Sequence, residues 1–351
     1  MILFKGKAKD YSLENLRRSI AKRYGVIVNK KTSVNPIWIM RQAGRYLPEF
    51  REIRKRNPNF IELCLNDSLS SEITLQPIKR FDFDAAIIFS DILMVPYGLG
   101  QKVSFKKNFG PQLGSINLSD IKNQSEKKFK NKLEPVYKSM SLIKKDKVIK
   151  NKDLIGFVGG PWTILVYMLN KMSPKRKLKK ILSDKPLVID LIKYVNYFIE
   201  LHINKQIKSG ANVIQIFDSW AGLLEEKDLP NYIYTPTLNL VDYVKSLKVP
   251  VICFPREIKN YKEFCEIVKP DAISIDYNVD PKKILKDIKI PIQGGLNPKV
   301  LLTDYDNLKK ETNKYLEIFK DHPYIFNLGH GILPETNPEM VENLIKIVKN
   351  N

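Results

Sequence analysis

The stretch Pro36-Ile-Trp-Ile-Met-Arg-Gln-Ala-Gly-Arg-Tyr-Leu-Pro-Glu-Phe-Arg51 turns from apolar to basic within a few residues. Its apolar run, residues 37–40, is long enough for one buried strand. Arg41 and Arg45 follow at once, with Gly44 between them, where the lack of a side chain allows a ligand to approach the backbone. Guanidinium groups at the end of a buried strand need anionic partners, and their planar fork suits a carboxylate or a phosphate. The stretch therefore predicts a strand that ends in an anion-binding site.

A purely structural role for these arginines, in ion pairs with Glu49 or Glu52, is the alternative. Such surface pairs are common and contribute little to stability. Two arginines that flank a glycine directly after a strand favour the binding of a ligand instead.

Composition limits the class of protein. The chain has 351 residues, of which 43% are hydrophobic and 10% aromatic, so a full core is possible and global disorder is not expected. No apolar run approaches the roughly 20 residues of a membrane helix, and Met1–Asp10 lacks the apolar core of a secretory signal. The three cysteines, Cys64, Cys253 and Cys265, form no C-x-x-C pair, which indicates a reducing compartment. We therefore expect a cytoplasmic protein with no membrane partner.

The chain is strongly basic, with 59 Lys and Arg against 38 Asp and Glu and a net charge of +21. Such a charge attracts polyanions: nucleic acid, an anionic membrane or a small molecule with several acidic groups. Much of the excess is lysine on predicted helix faces, which compositional drift explains equally well. The sequence has neither zinc-finger spacing nor an RNP-type aromatic motif, so nucleic acid is not the predicted partner.

Apolar spacing and breaker residues predict the elements outside the sheet. Residues 12–24 and 68–76 have the pattern of amphipathic helices, and Pro77 is expected to end or kink the second one. The glycine- and proline-rich residues 95–117 indicate a loop. Residues 118–150 indicate a long, basic helical excursion.

Short apolar runs recur along the whole chain and alternate with predicted helices, which is typical of a parallel sheet buried on both faces. Eight such units in a chain of this length predict an α/β fold, a (β/α)8 TIM barrel in a single domain, 36–351, after an N-terminal helical and connector segment, 1–35. A doubly wound open sheet is the alternative, weakened because no G-x-G-x-x-G turn follows an early strand. The predicted strands are 37–40, 84–89, 154–159, 213–217, 249–254, 272–275, 290–293 and 324–328.

Polar residues follow the predicted strands, and a barrel would bring them together at one mouth, where active sites lie. Asp91 is a lone carboxylate in an apolar run, and a salt bridge to one of the arginines is its structural alternative. His330 lies between two glycines, and a hydrogen-bonded core histidine is its alternative. Ser219 lacks a nucleophile elbow, and the chain has neither a P-loop nor an H-E-x-x-H motif. The strand-end residues are Arg41, Arg45, Asp91, Ser219 and His330.

Five motifs follow one another along the chain: the stretch Pro36 to Arg51, Ala85-Ala-Ile-Ile-Phe-Ser-Asp-Ile-Leu93, Gly156-Phe-Val-Gly-Gly-Pro-Trp-Thr163, Phe217-Asp-Ser-Trp-Ala-Gly222 and Asn327-Leu-Gly-His-Gly331. Together they closely resemble the signatures of the uroporphyrinogen decarboxylase family. The first motif is highly specific, and the others are moderately specific and occur in the right order. The resemblance spans about residues 36–348.

The resemblance implies a (β/α)8 enzyme, usually a homodimer, that works without a cofactor or a metal. Its substrate would be uroporphyrinogen III, a small molecule with eight carboxylates. The enzyme would remove CO2 from the four acetate side chains and give coproporphyrinogen III in haem biosynthesis. Decarboxylation needs an electron sink, and protonation of a pyrrole carbon supplies one, so neither pyridoxal nor a metal is required.

The resemblance also implies roles for single residues. Asp91 matches the catalytic carboxylate that hydrogen-bonds the pyrrole N–H groups and stabilises the cationic ring. Arg41 is the nearest matched proton donor, with a bound water as the alternative, because an arginine rarely gives up its proton. Tyr167, Ser219 and His330 match positions that contact substrate carboxylates, and Phe50 and Phe217 match apolar walls of the cleft. The implied substrate-binding residues are Arg41, Gln42, Ala43, Gly44, Arg45, Phe50, Asp91, Tyr167, Phe217, Ser219 and His330.

The chain departs from the family pattern in one loop, and two other functions are alternatives to the one that the resemblance implies. The chain has Pro255-Arg256-Glu257 where the family often has Pro-Lys-Gly, so the resemblance does not predict the shape of this loop. A corrinoid- or thiol-dependent methyltransferase of the same superfamily would need a zinc site, for which the available ligands are Cys253, Cys265, His322 and His330. A non-catalytic polyanion binder would bind with a steep salt dependence and would not depend on the strand-end carboxylate.

Overall fold

The structure is a computed structural model that describes residues 34–106, 109–174 and 184–350. The helix predicted over 12–24, and nearly all of the predicted segment 1–35, lie outside these residues. The described chain contains a seven-stranded parallel sheet and a two-stranded antiparallel hairpin, with helices between the parallel strands.

The parallel strands follow the apolar runs of the sequence, with shorter bounds. The strands are β1 Ala85–Ile87, β2 Val103–Lys106, β3 Gly110–Leu113, β4 Asp153–Gly159, β5 Val213–Asp218, β6 Val251–Pro255, β7 Ala272–Ile275, β8 Ile292–Gly294 and β9 Tyr324–Ile325. The parallel sheet has the order β1-β4-β5-β6-β7-β8-β9, and β2 pairs with β3. Because all neighbouring strands of this sheet are parallel, their carboxyl ends lie at one edge of the sheet.

The sheet is curled, and the segment 36–38 lies between its two edge strands. Phe326 N, next to β9, donates to Pro36 O at 2.8 Å. Asp84 N, next to β1, donates to Ile37 O at 2.9 Å. The segment therefore hydrogen-bonds to residues beside both edges of the parallel sheet.

The strand predicted over 37–40 is shortened to a β-bridge at its first residue. Beyond the bridge, backbone donors go to side chains: Ile39 N donates to Gln42 Oε1 at 3.2 Å, and Met40 N donates to Asn327 Oδ1 at 3.0 Å. Because side-chain oxygens take these N–H groups, they are not available to a sheet ladder.

The curled sheet encloses an apolar interior on one face, and the helices cover the other. Both faces are buried, which explains why the strands read as continuous apolar runs. Polar side chains in the interior pair with one another: Gln293 Oε1 accepts from Trp38 Nε1 at 2.9 Å, and Gln293 Nε2 donates to Gln215 Oε1 at 3.0 Å. The interior apolar residues are Trp38, Met40, Ala85, Ile87, Ile155, Val213, Ile252, Phe254, Ala272 and Ile325.

Many helices begin at residues whose side chains accept a first-turn N–H, such as Ser125 and Asn337. The predicted helical excursion over 118–150 is confirmed in three pieces. The α-helices are Pro48–Arg56, Phe60–Cys64, Asp67–Arg80, Met94–Gly98, Leu118–Lys122, Glu126–Lys145, Pro161–Asn170, Lys185–Lys208, Thr235–Ser246, Tyr261–Val268, Pro281–Asp287, Tyr305–Ile318 and Pro338–Lys349. Short 3-10 turns span Lys147–Ile149, Ala221–Leu223, Glu226–Asp228 and Pro298–Leu302, and a π-helical turn spans Pro230–Tyr234.

The expectation that Pro77 ends or kinks the helix at 68–76 is wrong about where the helix ends. The helix continues to Arg80, and Pro77 lies inside it. A proline in a helix interior costs about 3 kcal/mol. Burial of Ile73, Leu75 and Ile78 against the rest of the fold offsets this, because each such side chain contributes about 1.5–3 kcal/mol.

The loop predicted over 95–117 is also partly wrong. It contains the end of the helix Met94–Gly98 and the hairpin of β2 and β3. Alternating side chains anchor the hairpin, since Val103 is buried and the ring of Phe105 lies 4.7 Å from a neighbouring phenylalanine ring. High glycine content hid this alternation in the sequence.

Within the part of the chain that the structure describes, no helix is both long enough and apolar enough to cross a membrane.

Candidate active site

Polar side chains gather past the carboxyl ends of the parallel strands, as the sequence predicts. Each lies after a strand or in the first helix that follows it, so the parallel topology places them at one edge of the sheet. Several are close enough for their charges to change one another's pKa. They are Arg41, Asp91, Tyr167, Ser219, Arg256, Asp276 and His330.

The backbone of Arg41 is left-handed, with φ at +63°. This conformation costs a residue with a side chain about 1–2 kcal/mol. Neighbouring groups hold it in place: Ile332 N donates to Met40 O at 2.9 Å, and a Cβ at Gly44 would lie only 2.8 Å from Arg41 O. Backbone strain that is maintained by the surrounding structure is typical of functional sites.

The side chain of Arg41 keeps exposed surface although protein surrounds it, as expected in a concave opening. Gly331 lies against it, and a Cβ at this glycine would be 2.8 Å from Arg41 Nε. Desolvation lowers the pKa of Arg41, the charge of Asp91 opposes this, and the charges of Arg45 and Arg256 lower the pKa further. The guanidinium therefore lies in a cluster of several cations and a carboxylate.

Asp91 is the half-buried carboxylate of this cluster, after β1. Leu93 N donates to Asp91 Oδ1 at 2.8 Å. Burial raises the pKa of Asp91 to about 6, although the hydrogen bond from Leu93 and the charge of Arg41 act against the shift. Most of the group stays ionised at neutral pH, so it offers a negative charge where poor hydration strengthens electrostatic interactions.

Tyr167 is half-buried in the helix that follows β4. Its ring centroid lies 5.8 Å from that of Trp220, edge to face. Burial raises the pKa of Tyr167, the charge of Asp91 raises it further, and Arg41 opposes the shift. The phenol therefore stays protonated at neutral pH and can donate a hydrogen bond to an anionic oxygen.

His330 follows β9 and is half-buried. Burial lowers the pKa of His330 to about 4, and the positive charges of Arg41 and Arg256 contribute to the shift. The imidazole is therefore neutral at pH 7, with one nitrogen that donates and one that accepts. A Cβ at Gly329 would lie 2.8 Å from the carbonyl carbon of Asp276, so the chain before His330 passes directly over the end of β7.

The end of β5 is fixed by Thr163. Its Oγ1 donates to Asp218 Oδ1 at 2.5 Å and accepts from Trp220 N at 3.0 Å. Between these residues, Ser219 is half-buried. Phe217, also half-buried, packs against the apolar interior of the sheet. The predicted apolar wall, Phe217, thus lies near the end of β5, and the predicted hydroxyl, Ser219, directly after it.

Not every predicted residue of the first motif faces the cluster. Gln42 is fully buried, and its Nε2 donates to a backbone carbonyl of β1 at 3.0 Å. Phe50 lies in the core, with its ring 5.6 Å from that of another phenylalanine. Ala43 and Gly44 are half-buried, and Arg45 is exposed. Contacts of substrate with Gln42 and Phe50 stay predictions, since both side chains already serve the fold.

The implied site residues omit three ionisable groups at strand ends. The charge of Arg256, after β6, acts on Arg41 and His330. Asp276, after β7, accepts hydrogen bonds, and Asp218 ends β5 with a pKa that burial raises to about 7. A signal was present in the sequence, because each is the first charged residue at the end of an apolar run, like Asp91.

The loop that departs from the family pattern keeps a conformation suited to glycine. Glu257, where the family often has glycine, adopts φ at +62°. Its N–H donates to Asp276 Oδ2 at 3.1 Å. The missing glycine therefore leaves a left-handed backbone in this loop, at a cost of about 1–2 kcal/mol.

The zinc site of the methyltransferase alternative has no ligand cluster in the described residues, where no three His, Cys, Asp or Glu side chains are grouped to hold a metal. Burial raises the pKa of Cys253 well above its ordinary value and that of Cys265 to about 12, so both thiols stay neutral. His322 Nε2 is hydrogen-bonded with the backbone carbonyl of Ile290 at 2.9 Å.

The fold and site define a barrel-like α/β protein whose functional groups lie at the carboxyl ends of parallel strands. Residues 24–351 match the family model described as uroporphyrinogen decarboxylase, URO-D. The chain belongs to the uroporphyrinogen decarboxylase family.

Similar proteins cover nearly the whole chain. A uroporphyrinogen decarboxylase of Rickettsia bellii is 43% identical over 321 residues, 90% of this chain and 94% of the relative. One from Rickettsia felis is 41% identical over 90% of this chain and 92% of its own length. Among solved structures, a methyltransferase from Methanosarcina mazei matches with a TM-score of 0.75 over 97% of this chain and 99% of its own, at 18% identity. That low identity supports a shared fold and nothing about activity.

Proposed function

We propose that this protein decarboxylates uroporphyrinogen III to coproporphyrinogen III, releasing four CO2. One observation carries the proposal: the Asp91 carboxylate, its pKa raised to about 6, lies within reach of the charge of Arg41 at the carboxyl ends of the strands. The family membership and the names of the relatives support the same reaction.

Substrate carboxylates bind to the cationic part of the site. Arg41 and Arg45 supply guanidinium groups, and Tyr167, Ser219 and His330 supply neutral hydrogen-bond donors. A neutral His330, with its pKa lowered to about 4, contributes a donor without adding another positive charge. Backbone groups at Ala43 and Gly44, together with Gln42, complete the binding set implied by the family motif, and Phe50 and Phe217 form its apolar walls.

The chemistry uses the pyrrole ring as the electron sink. A proton added to a ring carbon makes the ring cationic. The Asp91 carboxylate stabilises that charge and accepts hydrogen bonds from the pyrrole N–H groups. The bond to the acetate carboxylate breaks, CO2 leaves, and the electron pair moves into the ring. A proton then converts the methylene carbon to methyl and the ring proton is lost, so each cycle consumes one proton.

The first proton comes from Arg41 or from a water that it holds. Desolvation lowers the pKa of Arg41, which makes its guanidinium a better acid than one in water. Its charge also favours the ionised form of Asp91 against the effect of burial, so the two residues act as a pair.

We further propose that residues 36–351 form one closed (β/α)8 domain, with the segment 36–38 as its first strand. The hydrogen bonds from Asp84 and Phe326 to this segment support that arrangement. A homodimer and a cytoplasmic location are part of the proposal, carried by the family resemblance and by cysteines that are free in the described chain.

Anaerobic incubation of the purified protein with uroporphyrinogen III, without added metal or cofactor, tests the function. Products are oxidised and separated by chromatography. We expect porphyrins with seven, six, five and four carboxyl groups to appear in sequence. Folded protein that removes no carboxylate would refute the proposal, and zinc analysis of that protein would then test the methyltransferase alternative.

A further inference from the structure

The backbone at Arg256 is fixed by the turns around it. Arg256 N donates to Asp218 O at 3.1 Å, and Arg256 O accepts from Gly222 N at 3.0 Å. On the other side, Glu257 N donates to Asp276 Oδ2 at 3.1 Å. The backbone of this residue is thus tied to the ends of β5 and β7, so its side chain starts at the edge where the other charged groups lie.

The guanidinium of Arg256 is incompletely paired in the described structure. Its Nε is buried and has no hydrogen-bond partner. Its Nη2 pairs with the carboxylate of Glu257, the next residue in the chain. A buried donor without an acceptor costs about 1–3 kcal/mol, so this edge of the guanidinium lacks an acceptor that a ligand can supply.

The surrounding charges also favour an added anion. The positive charge of Arg256 lies close enough to the Arg41 guanidinium to lower its pKa, and it disfavours a charged His330 as well. The nearest carboxylate on β7, Asp276, already accepts hydrogen bonds from Tyr261 Oη at 3.1 Å and from Glu257 N. Like charges held near one another are costly unless counter-ions or ligand anions lie between them.

We propose that Arg256 is a further carboxylate-binding residue of the active site, and that Glu257 holds its guanidinium until a substrate carboxylate replaces it. This inference rests on the proposed decarboxylation. The Nε and Nη2 atoms form one edge of the guanidinium, the edge that grips a carboxylate with two parallel hydrogen bonds. One incoming carboxylate therefore satisfies the orphan Nε and takes over Nη2.

Glu257 is suited to being displaced. Its side chain is 40% exposed, against 20% for Arg256, so its carboxylate can turn into water when it leaves. Exposed ion pairs are worth about 0–1 kcal/mol, whereas hydrogen bonds to a charged group contribute about 1.5–3 kcal/mol. The exchange therefore favours a substrate carboxylate that is already held in the site by Arg41.

Kinetics of the full chain on uroporphyrinogen III, together with binding of oxidised uroporphyrin measured by fluorescence, test this inference. Arg256→Gln should raise KM and the Kd for uroporphyrin by about 10-fold or more, the effect of losing one charged hydrogen-bond pair, with kcat within about 2-fold. Arg256→Lys should recover part of the loss. Glu257→Gln should lower both constants, because the competing carboxylate is gone.

Arg80→Gln is the matched control, since Arg80 pairs with Glu49 at 3.2 Å on an exposed face away from the strand ends. If the wild type is active but Arg256→Gln has the same KM and uroporphyrin Kd as Arg80→Gln, the role of Arg256 is overturned and the proposed function stands. Wild type without activity would refute the function, and the uroporphyrin Kd would still test the residue. If Arg256→Gln does not fold, an unchanged KM in Glu257→Gln overturns the exchange.

Discussion

Gly331 lies against the side chain of Arg41 so closely that no other residue fits at position 331 without moving the arginine. A Cβ there would lie 2.8 Å from both Cγ and Nε of Arg41, and closer still to Cδ. The glycine after His330 therefore fixes the path of the side chain of Arg41, a residue 290 positions earlier in the sequence.

Gly331→Ala should displace Arg41 and reduce kcat/KM by about 100-fold, the effect of a misplacement near 1 Å, with little change in the free energy of unfolding. Gly110→Ala is the matched control. Gly110 has φ at +73° and open space around it, so alanine there should cost about 1–2 kcal/mol of stability and no activity. Steady-state kinetics and urea unfolding separate the two effects, and equal activity in both variants would show that Arg41 tolerates the methyl group.

Substitutions of Arg41 should separate its effect on stability from its effect on substrate binding. Arg41→Gly removes the strain of the left-handed backbone, and Arg41→Ala keeps it, while both lose the guanidinium. We expect the glycine variant to be about 1 kcal/mol more stable than the alanine variant in urea unfolding. Both should bind uroporphyrin more weakly than wild type, and binding at the wild-type level would rule out the carboxylate contact.

Asp91→Asn should remove turnover while leaving the fold intact. Asparagine can still accept the Leu93 N–H that Asp91 Oδ1 accepts at 2.8 Å, but it carries no charge to stabilise a cationic ring. Loss of such a group typically reduces kcat by about 100- to 1,000-fold. Asp242→Asn, at an exposed carboxylate, is the control, and a near-normal rate in Asp91→Asn would contradict the electrostatic role.

The pH dependence of kcat/KM should follow Asp91. Burial raises the pKa of Asp91 to about 6, so protonation below that pH removes the negative charge and the rate should fall on the acid side. His330, with its pKa lowered to about 4, stays neutral across this range. His330→Gln should therefore raise KM and keep the same acid limb; a limb that disappears in this variant would assign the titration to the histidine.

Asp218 should make stability depend on pH. Burial raises its pKa to about 7, so the folded state holds the proton more tightly than the unfolded state. Stability from this group is full below about pH 4 and is lost as pH rises toward 7, a change of about 2–3 kcal/mol between pH 5 and 8. Asp218→Asn should flatten this part of the profile in urea unfolding, compared with Asp242→Asn. A slope equal to that of wild type would show that Asp218 is ionised when folded.

Local pattern predicted the seven strands of the parallel sheet, whereas the strand predicted over 37–40 is reduced to a β-bridge. Asp91 and His330 stand out because each follows an apolar run. Parallel topology then places both residues at the same edge of the sheet. The helix predicted over 68–76 exists, but its continuation past Pro77 was not predicted, because contacts with residues distant in sequence stabilise it. The hairpin of β2 and β3 was not predicted because glycines mask its alternation.

The charge environment of the site could not be read from the sequence. Arg256 affects Arg41 and His330 only because turns at three strand ends bring it beside them. Gln42 belongs to the most specific motif, yet it is buried under β1, because its amide satisfies backbone groups of the fold. A motif thus identifies a family without separating residues that contact a substrate from those that shape the site.

The hydrogen bond from Met40 N to Asn327 Oδ1 spans 287 residues of sequence. During synthesis, the arginine-bearing segment leaves the ribosome long before the residues that hold it. The apolar run 37–40 cannot form its contacts with the region of β9 until that region has been translated. Contacts of such long range also form slowly. Binding competence should therefore arrive at the end of folding, and a chain that stalls before β9 would present chaperones with an exposed sheet edge and no active site.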